Sequence, residues 1–143
     1  MKVNDILRGK GNQVVTISPD STVRELLALL AEHNVGALVV STDGIAVAGI
    51  VSERDVVRSL HSNPDAFSEP IRSIMTAEVH TSDPDTHIDD LMRLMTEERI
   101  RHIPVTVNDQ LAGIVSIGDV VKHRLDELEM EANILRESFI ARH

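Results

Sequence analysis

The chain has 143 residues, 42% apolar and 26% charged, enough to bury a sizeable core and too apolar to stay disordered. A formal net charge of −9 and an aromatic content of two Phe with no Trp or Tyr argue against nucleic-acid binding, which needs basic faces and stacking platforms. The absence of cysteine excludes disulfides and thiolate metal sites, and no apolar run approaches the ~18 residues needed to span a bilayer.

In chain order, residues 1–8 are mixed polar and lack the apolar centre of a secretion signal, which fits a cytoplasmic protein. Residues 14–17 form a β-rich run ended by Ser18-Pro19, and Ser21 is a candidate helix N-cap. Val23, Leu26, Leu27 and Leu30 follow at helical spacing. Residues 37–40 read as a buried strand, Thr42-Asp43-Gly44 as a turn, and residues 45–51 as a second strand leading into a short helix at Glu53. Residues 60–75, with Asn63-Pro64 and Glu69-Pro70, form a connection.

The pattern then recurs. Residues 14–40 match residues 79–105 at eight of 27 positions, and residues 48–57 match residues 112–121 at eight of ten, so the chain is a duplication. In the second copy Thr86 is the candidate N-cap and Ile88, Leu91, Met92 and Met95 the apolar helix face. Residues 103–107 and 111–115 are the strands, joined by a turn at Asn108-Asp109, and a short helix starts at Ile117. One unit of this size buries too little surface to stand alone; two stacked units do not have that difficulty. Beyond Gly118 no Pro or Gly interrupts the chain to residue 140. Val121, Leu125, Leu128, Ala132, Leu135 and Phe139 recur at spacings of 4, 3, 4, 3 and 4. That heptad seam suits either a helix folded back on its own repeats or a homodimer contact, and the dimer is the favoured reading.

The repeated Gly-Ile-Val-Ser-x-x-Asp-Val-Val at residues 49–57 and 113–121, with His102-Ile103-Pro104-Val105 ahead of the second, resembles the CBS (cystathionine-β-synthase-type) domain pair, or Bateman module. The resemblance spans roughly residues 1–124 and is especially close to small stand-alone bacterial CBS-pair proteins. It implies binding of AMP, ADP, ATP, NAD or S-adenosylmethionine in two clefts between the repeats. It also implies that Asp55 and Asp119 hold ribose hydroxyls, with Ser52 and Ser116 near ribose or phosphate. The backbone around Thr16-Ile17 and Thr81-Ser82 would frame the base, between apolar walls from Ala37-Leu38 and Ile103-Pro104.

These roles are chemically coherent. An ionised carboxylate accepts two hydrogen bonds from a ribose diol, and a helix N-terminus offers N–H groups to phosphate. Arg54, Arg99, Arg101, His102 and Lys122 stand near these segments in sequence and suit phosphate neutralisation. Ser-x-x-Asp at a strand-to-helix junction is also a variant capping box, and capping by Ser coexists with binding by Asp. Because the first repeat has Gly36-Ala37 where the second has Arg101-His102, the two clefts are expected to differ. The seven His show no metal-site spacing, and no nucleophile elbow, P-loop or dinucleotide fingerprint occurs, so neither a metal nor catalysis is expected.

The sequence is therefore read as an α/β (α+β) protein of two tandem β-α-β-β-α repeats with pseudo-two-fold symmetry plus a C-terminal helix. Residues 1–62 hold repeat one with a lead segment, 63–78 the connection, 79–124 repeat two and 125–143 the helical extension. The expected function is a dimeric adenine-nucleotide sensor that signals to an unidentified partner protein. The competing expectation is a ligand-free dimerisation or docking scaffold for an enzyme or transporter.

Overall fold

The computed structural model describes residues 1–11 and 14–141. A lead helix α1 (Val3–Lys10) precedes the first repeat: β1 (Thr16–Ile17), α2 (Val23–His33), β2 (Ala37–Val40), β3 (Gly49–Ser52) and α3 (Glu53–Ser62). After two short 3-10 turns, α4 (Ile88–Glu98), β4 (His102–Val107), β5 (Gln110–Ser116) and α5 (Ile117–Ala141) form the second. Strand β2 is central in its sheet, parallel to β1 and antiparallel to β3. Strands β4 and β5 pair antiparallel with a register shift at Val105/Thr106.

The duplication persists in the backbone. Ile17 pairs in parallel with Val40, and its counterpart Ser82 bridges in parallel to Val105. Both α2 and α4 end on a left-handed residue, Asn34 at φ 51° and Arg99 at φ 54°.

Each repeat has its own core, and the two exchange arms. Val23, Leu26, Leu38, Val40, Val51 and Val56 bury with Ile71 from the connection. Ile88, Leu91, Ile103, Val105, Val115 and Val120 bury with Val3, Ile6 and Leu7 from the lead helix. The lead segment, grouped in sequence with repeat one, thus docks on repeat two, and the connection docks on repeat one. The hydrogen bonds match pairwise: Val3 N–H to Thr86 O at 2.9 Å corresponds to Ile71 N–H to Ser21 O at 2.8 Å. Likewise Asn4 N–H to Pro84 O at 2.9 Å corresponds to Arg72 N–H to Pro19 O at 3.0 Å. Glycine permits this contact. A Cβ on Gly113 would lie 2.5 Å from Leu7 Cδ2, and one on Gly49 would lie 2.7 Å from the Thr76 carbonyl oxygen.

The arms also move the helix caps by one residue. Thr22, not Ser21, caps α2, its hydroxyl accepting from Glu25 N–H at 3.2 Å. His87, not Thr86, precedes α4. Ser21 and Thr86 sit at bends whose carbonyls accept from Ile71 and Val3 of the docked arms, which holds them one residue ahead of the cap position. Strand β3 is shorter than residues 45–51, because Asp43 Oδ1 accepts the N–H groups of Ile45 and Ala46 at 2.8 and 2.9 Å and extends the turn. In repeat two the short helix and the C-terminal helix are one continuous α5 of 25 residues. It does not fold back: from Leu128 to residue 140 every residue is exposed.

Candidate functional site

Between the repeats lies a cleft of about 450 Å³, within the range of about 300–1,000 Å³ usual for small-molecule sites. Its centre is the turn from β3 into α3. Ser52 is the N-cap of α3, its Oγ accepting from Asp55 N–H at 3.4 Å. Asp55 Oδ2 reciprocates, accepting from Ser52 N–H at 2.8 Å and from Ser52 Oγ–H at 3.1 Å. The Ser-x-x-Asp segment is therefore a capping box with Asp in the fourth position. Among the described residues Oδ1 of Asp55 accepts no hydrogen bond. One carboxylate oxygen, Oδ2, fixes the helix start.

Around this centre the cleft draws on both repeats. Ala37, Ile50, Val79 and Ile100 give aliphatic wall, and Arg54 and Arg58 from α3 line the cleft together with Arg99 and Arg101 from the α4–β4 connection. None of these four guanidinium groups makes an ion pair among the described residues, whereas Lys2, Arg8, Lys10, Arg72 and Arg124 all do. The carboxylates of Glu53 and Glu78 also line the cleft. A Cβ on Gly36 would come within 2.8 Å of Glu53 Oε1 and 3.6 Å of His102 Cε1, so glycine keeps the meeting point of the repeats narrow.

Seven of the residues singled out in the sequence come together here: Ala37, Ser52, Arg54, Asp55, Arg99, Arg101 and His102. Ser116 and Asp119 occupy the equivalent turn in repeat two, with Asp119 Oδ2 accepting from Ser116 N–H at 2.9 Å. There Lys10, at the end of the lead helix, reaches Asp119 Oδ2 at 2.7 Å and the Ile114 carbonyl at 3.0 Å. Burial pushes the Asp119 carboxyl up, but the hydrogen bonds from Lys10 and Ser116 outweigh it and hold the group below the usual carboxylate value. His102 is pushed down, first by burial and then by the Lys10 charge, against the opposing pull of Asp119 and Glu53. Ile17, Leu38, Ile103 and Pro104 are buried, and Lys122 is exposed. Thr81 lines a separate depression with Ser82, Asp83 and Asp90. Thr16 pairs with Val39 at the edge of the first sheet, outside the Asp55 cleft.

Sequence reasoning missed Arg58, Glu78 and Lys10. Arg58 had a signal, since it follows Arg54 by four residues on one helix and shares its face. Lys10 had none, lying 109 residues from its partner. No group of three or more His, Asp or Glu able to hold a metal occurs among the described residues. No helix among them is long and apolar enough to cross a membrane.

The family model of the CBS domain matches residues 3–62 and 71–126, one match on each repeat. The chain belongs to the CBS-domain family. As a CBS pair it is similar to a crystal structure of a CBS-domain containing protein from Agrobacterium tumefaciens, with 41% identity and a TM-score of 0.83 over 87% of this chain and 99% of that one. It is 39% identical to a mitochondrial CBS domain-containing protein of Arabidopsis thaliana, covering 84% of this chain and 63%, under two thirds, of that relative's length. A CBS domain pair crystallised with 5′-methylthioadenosine and S-adenosyl-L-methionine shares 25% identity and a TM-score of 0.79, covering 89% of this chain and 98% of that one.

Proposed function

We propose that this CBS pair is a regulatory module that binds an adenine nucleotide, AMP, ADP, ATP or NAD, in the Asp55 cleft and passes its binding state to a partner protein. The reading is carried by one coincidence: a carboxylate oxygen of Asp55 and four arginines, without hydrogen bond or ion pair among the described residues, share a cleft with aliphatic walls. The free oxygen suits a ribose diol, the aliphatic walls suit a purine in a chain poor in aromatics, and the arginines suit phosphate. The similar pair that holds adenosine-containing ligands supports the same class. Asp119, equivalent in sequence, offers a second ribose site once Lys10 is displaced.

The module carries its output through assembly. Leu125, Leu128 and Leu135 of α5 are 60, 45 and 70% exposed and lie on one heptad seam, which a second copy covers in a self-complementary, two-fold contact. Nucleotide binding shifts the assembly by its differential affinity for two arrangements of the repeats.

Thermal unfolding of ligand-stripped protein with AMP, ADP, ATP, NAD and S-adenosylmethionine tests the proposal. A ligand at a thousandfold over its dissociation constant adds about 4 kcal/mol of stability, seen as a shift of several degrees. No shift with any of the five refutes nucleotide sensing and favours a ligand-free scaffold held together by the α5 seam.

A further inference from the structure

Of the four arginines lining the Asp55 cleft, Arg99 is held in a backbone conformation that arginine disfavours. It ends α4 at φ 54° and ψ 43°, the left-handed region where a Cβ crowds the following carbonyl and where Asn and Gly are at ease. The first repeat fills the same position with Asn34, at φ 51° and ψ 49°. The fold therefore needs only a left-handed helix end here, and Asn or Gly supplies it more cheaply. An Arg in that conformation, at a position that lines the cleft and with no ion pair among the described residues, points to a role in the cleft.

The charge balance indicates which role. Arg54 and Arg58 belong to α3 of the first repeat and Arg99 and Arg101 to the second repeat, so both repeats bring arginines to the one cleft. Glu53 and Glu78 line the same cleft yet pair with none of them within ion-pair distance. A single phosphate engages one or two guanidinium forks. A chain of two or three phosphates spans both walls and engages the cations of each. We infer that Arg99 is the residue by which this cleft prefers nucleoside di- and triphosphates to monophosphates, an inference that rests on the adenine-nucleotide reading above.

Calorimetric titration of stripped protein with ATP and with AMP, in the native chain and in Arg99→Asn and Arg99→Lys, tests it. The native protein should bind ATP more tightly than AMP. Arg99→Asn should weaken ATP roughly tenfold or more, the loss of one hydrogen bond to a charged group, and leave AMP nearly unchanged. Arg99→Asn should also melt higher, because the left-handed residue is relaxed, and this separates a binding effect from misfolding. Arg99→Lys should keep part of the ATP preference without the gain in melting temperature. Equal native affinities for ATP and AMP, or parallel losses for both in Arg99→Asn, would overturn the role of Arg99 and leave the adenine site standing. Native protein that binds neither nucleotide would overturn both.

Discussion

The exchange of arms makes a prediction that runs against the order of the chain. Ile6 belongs to the lead helix, ahead of repeat one, yet it is fully buried in the core of repeat two with Ile88, Leu91 and Val115. Ile6→Ala removes three buried carbons, about 2.4 kcal/mol at ~0.8 kcal/mol per carbon. The cavity left behind brings the expected cost to roughly 3 kcal/mol. For a chain of this size that lowers the melting midpoint by about 10 °C. Hydrogen exchange locates the damage: amides of β4 and β5 should lose protection well before those of β2 and β3, although repeat one is nearer in sequence. Earlier loss in β2 and β3, or a cost under about 1 kcal/mol, would refute the exchanged packing.

Other consequences follow from single contacts. Gly49→Ala should destabilise by about 1–3 kcal/mol and by more than Gly113→Ala, because its Cβ meets the Thr76 backbone oxygen at 2.7 Å while that of Gly113 meets a movable Leu7 methyl; paired urea titrations measure the difference. Thr22→Ala should cost about 1 kcal/mol through the lost α2 cap, whereas Ser21→Ala should cost less by the same assay. Lys10→Ala should cost about 1 kcal/mol near neutral pH, as expected for a partly exposed ion pair. Because the folded state holds the Asp119 carboxyl below its usual value, its stabilising contribution is present above the unfolded value and lost as pH falls through the folded one. The gap between native and Lys10→Ala midpoints should therefore close on acidification, and a gap that widens would contradict the ion pair. Leu128→Glu combined with Leu135→Glu should convert a dimer to a monomer in sedimentation without lowering nucleotide affinity per chain.

Most of the fold was legible because the duplication preserves side chains as well as pattern. The Ser-x-x-Asp turns at 52–55 and 116–119 repeat outright, and the helical faces at Val23 and Ile88 keep their spacing. The arm exchange was hidden because Val3, Ile6 and Leu7 share only apolar spacing with Ile71, Ile74 and Met75, and nothing local says which core a short amphipathic arm enters. The cap positions slipped by one for the same reason: Ser21 and Thr86 look like caps until the arms claim them. Of the residues that line the candidate cleft, Asp55, Arg54 and His102 were singled out through the motif and its neighbours. Arg58, Glu78 and Lys10 were not, because their placement depends on how helices from different repeats meet. The left-handed backbone of Arg99 has no sequence signature, and only the aligned Asn34 hints at it in retrospect.

The most direct test of the site is calorimetric titration of ATP into ligand-stripped native protein and into Asp55→Ala, below the melting range of both. The expected result is saturable heat in the native protein and a loss of at least roughly tenfold in affinity in Asp55→Ala, the scale of one charged hydrogen bond. Unchanged affinity in Asp55→Ala would place the nucleotide elsewhere and contradict the assignment of this cleft.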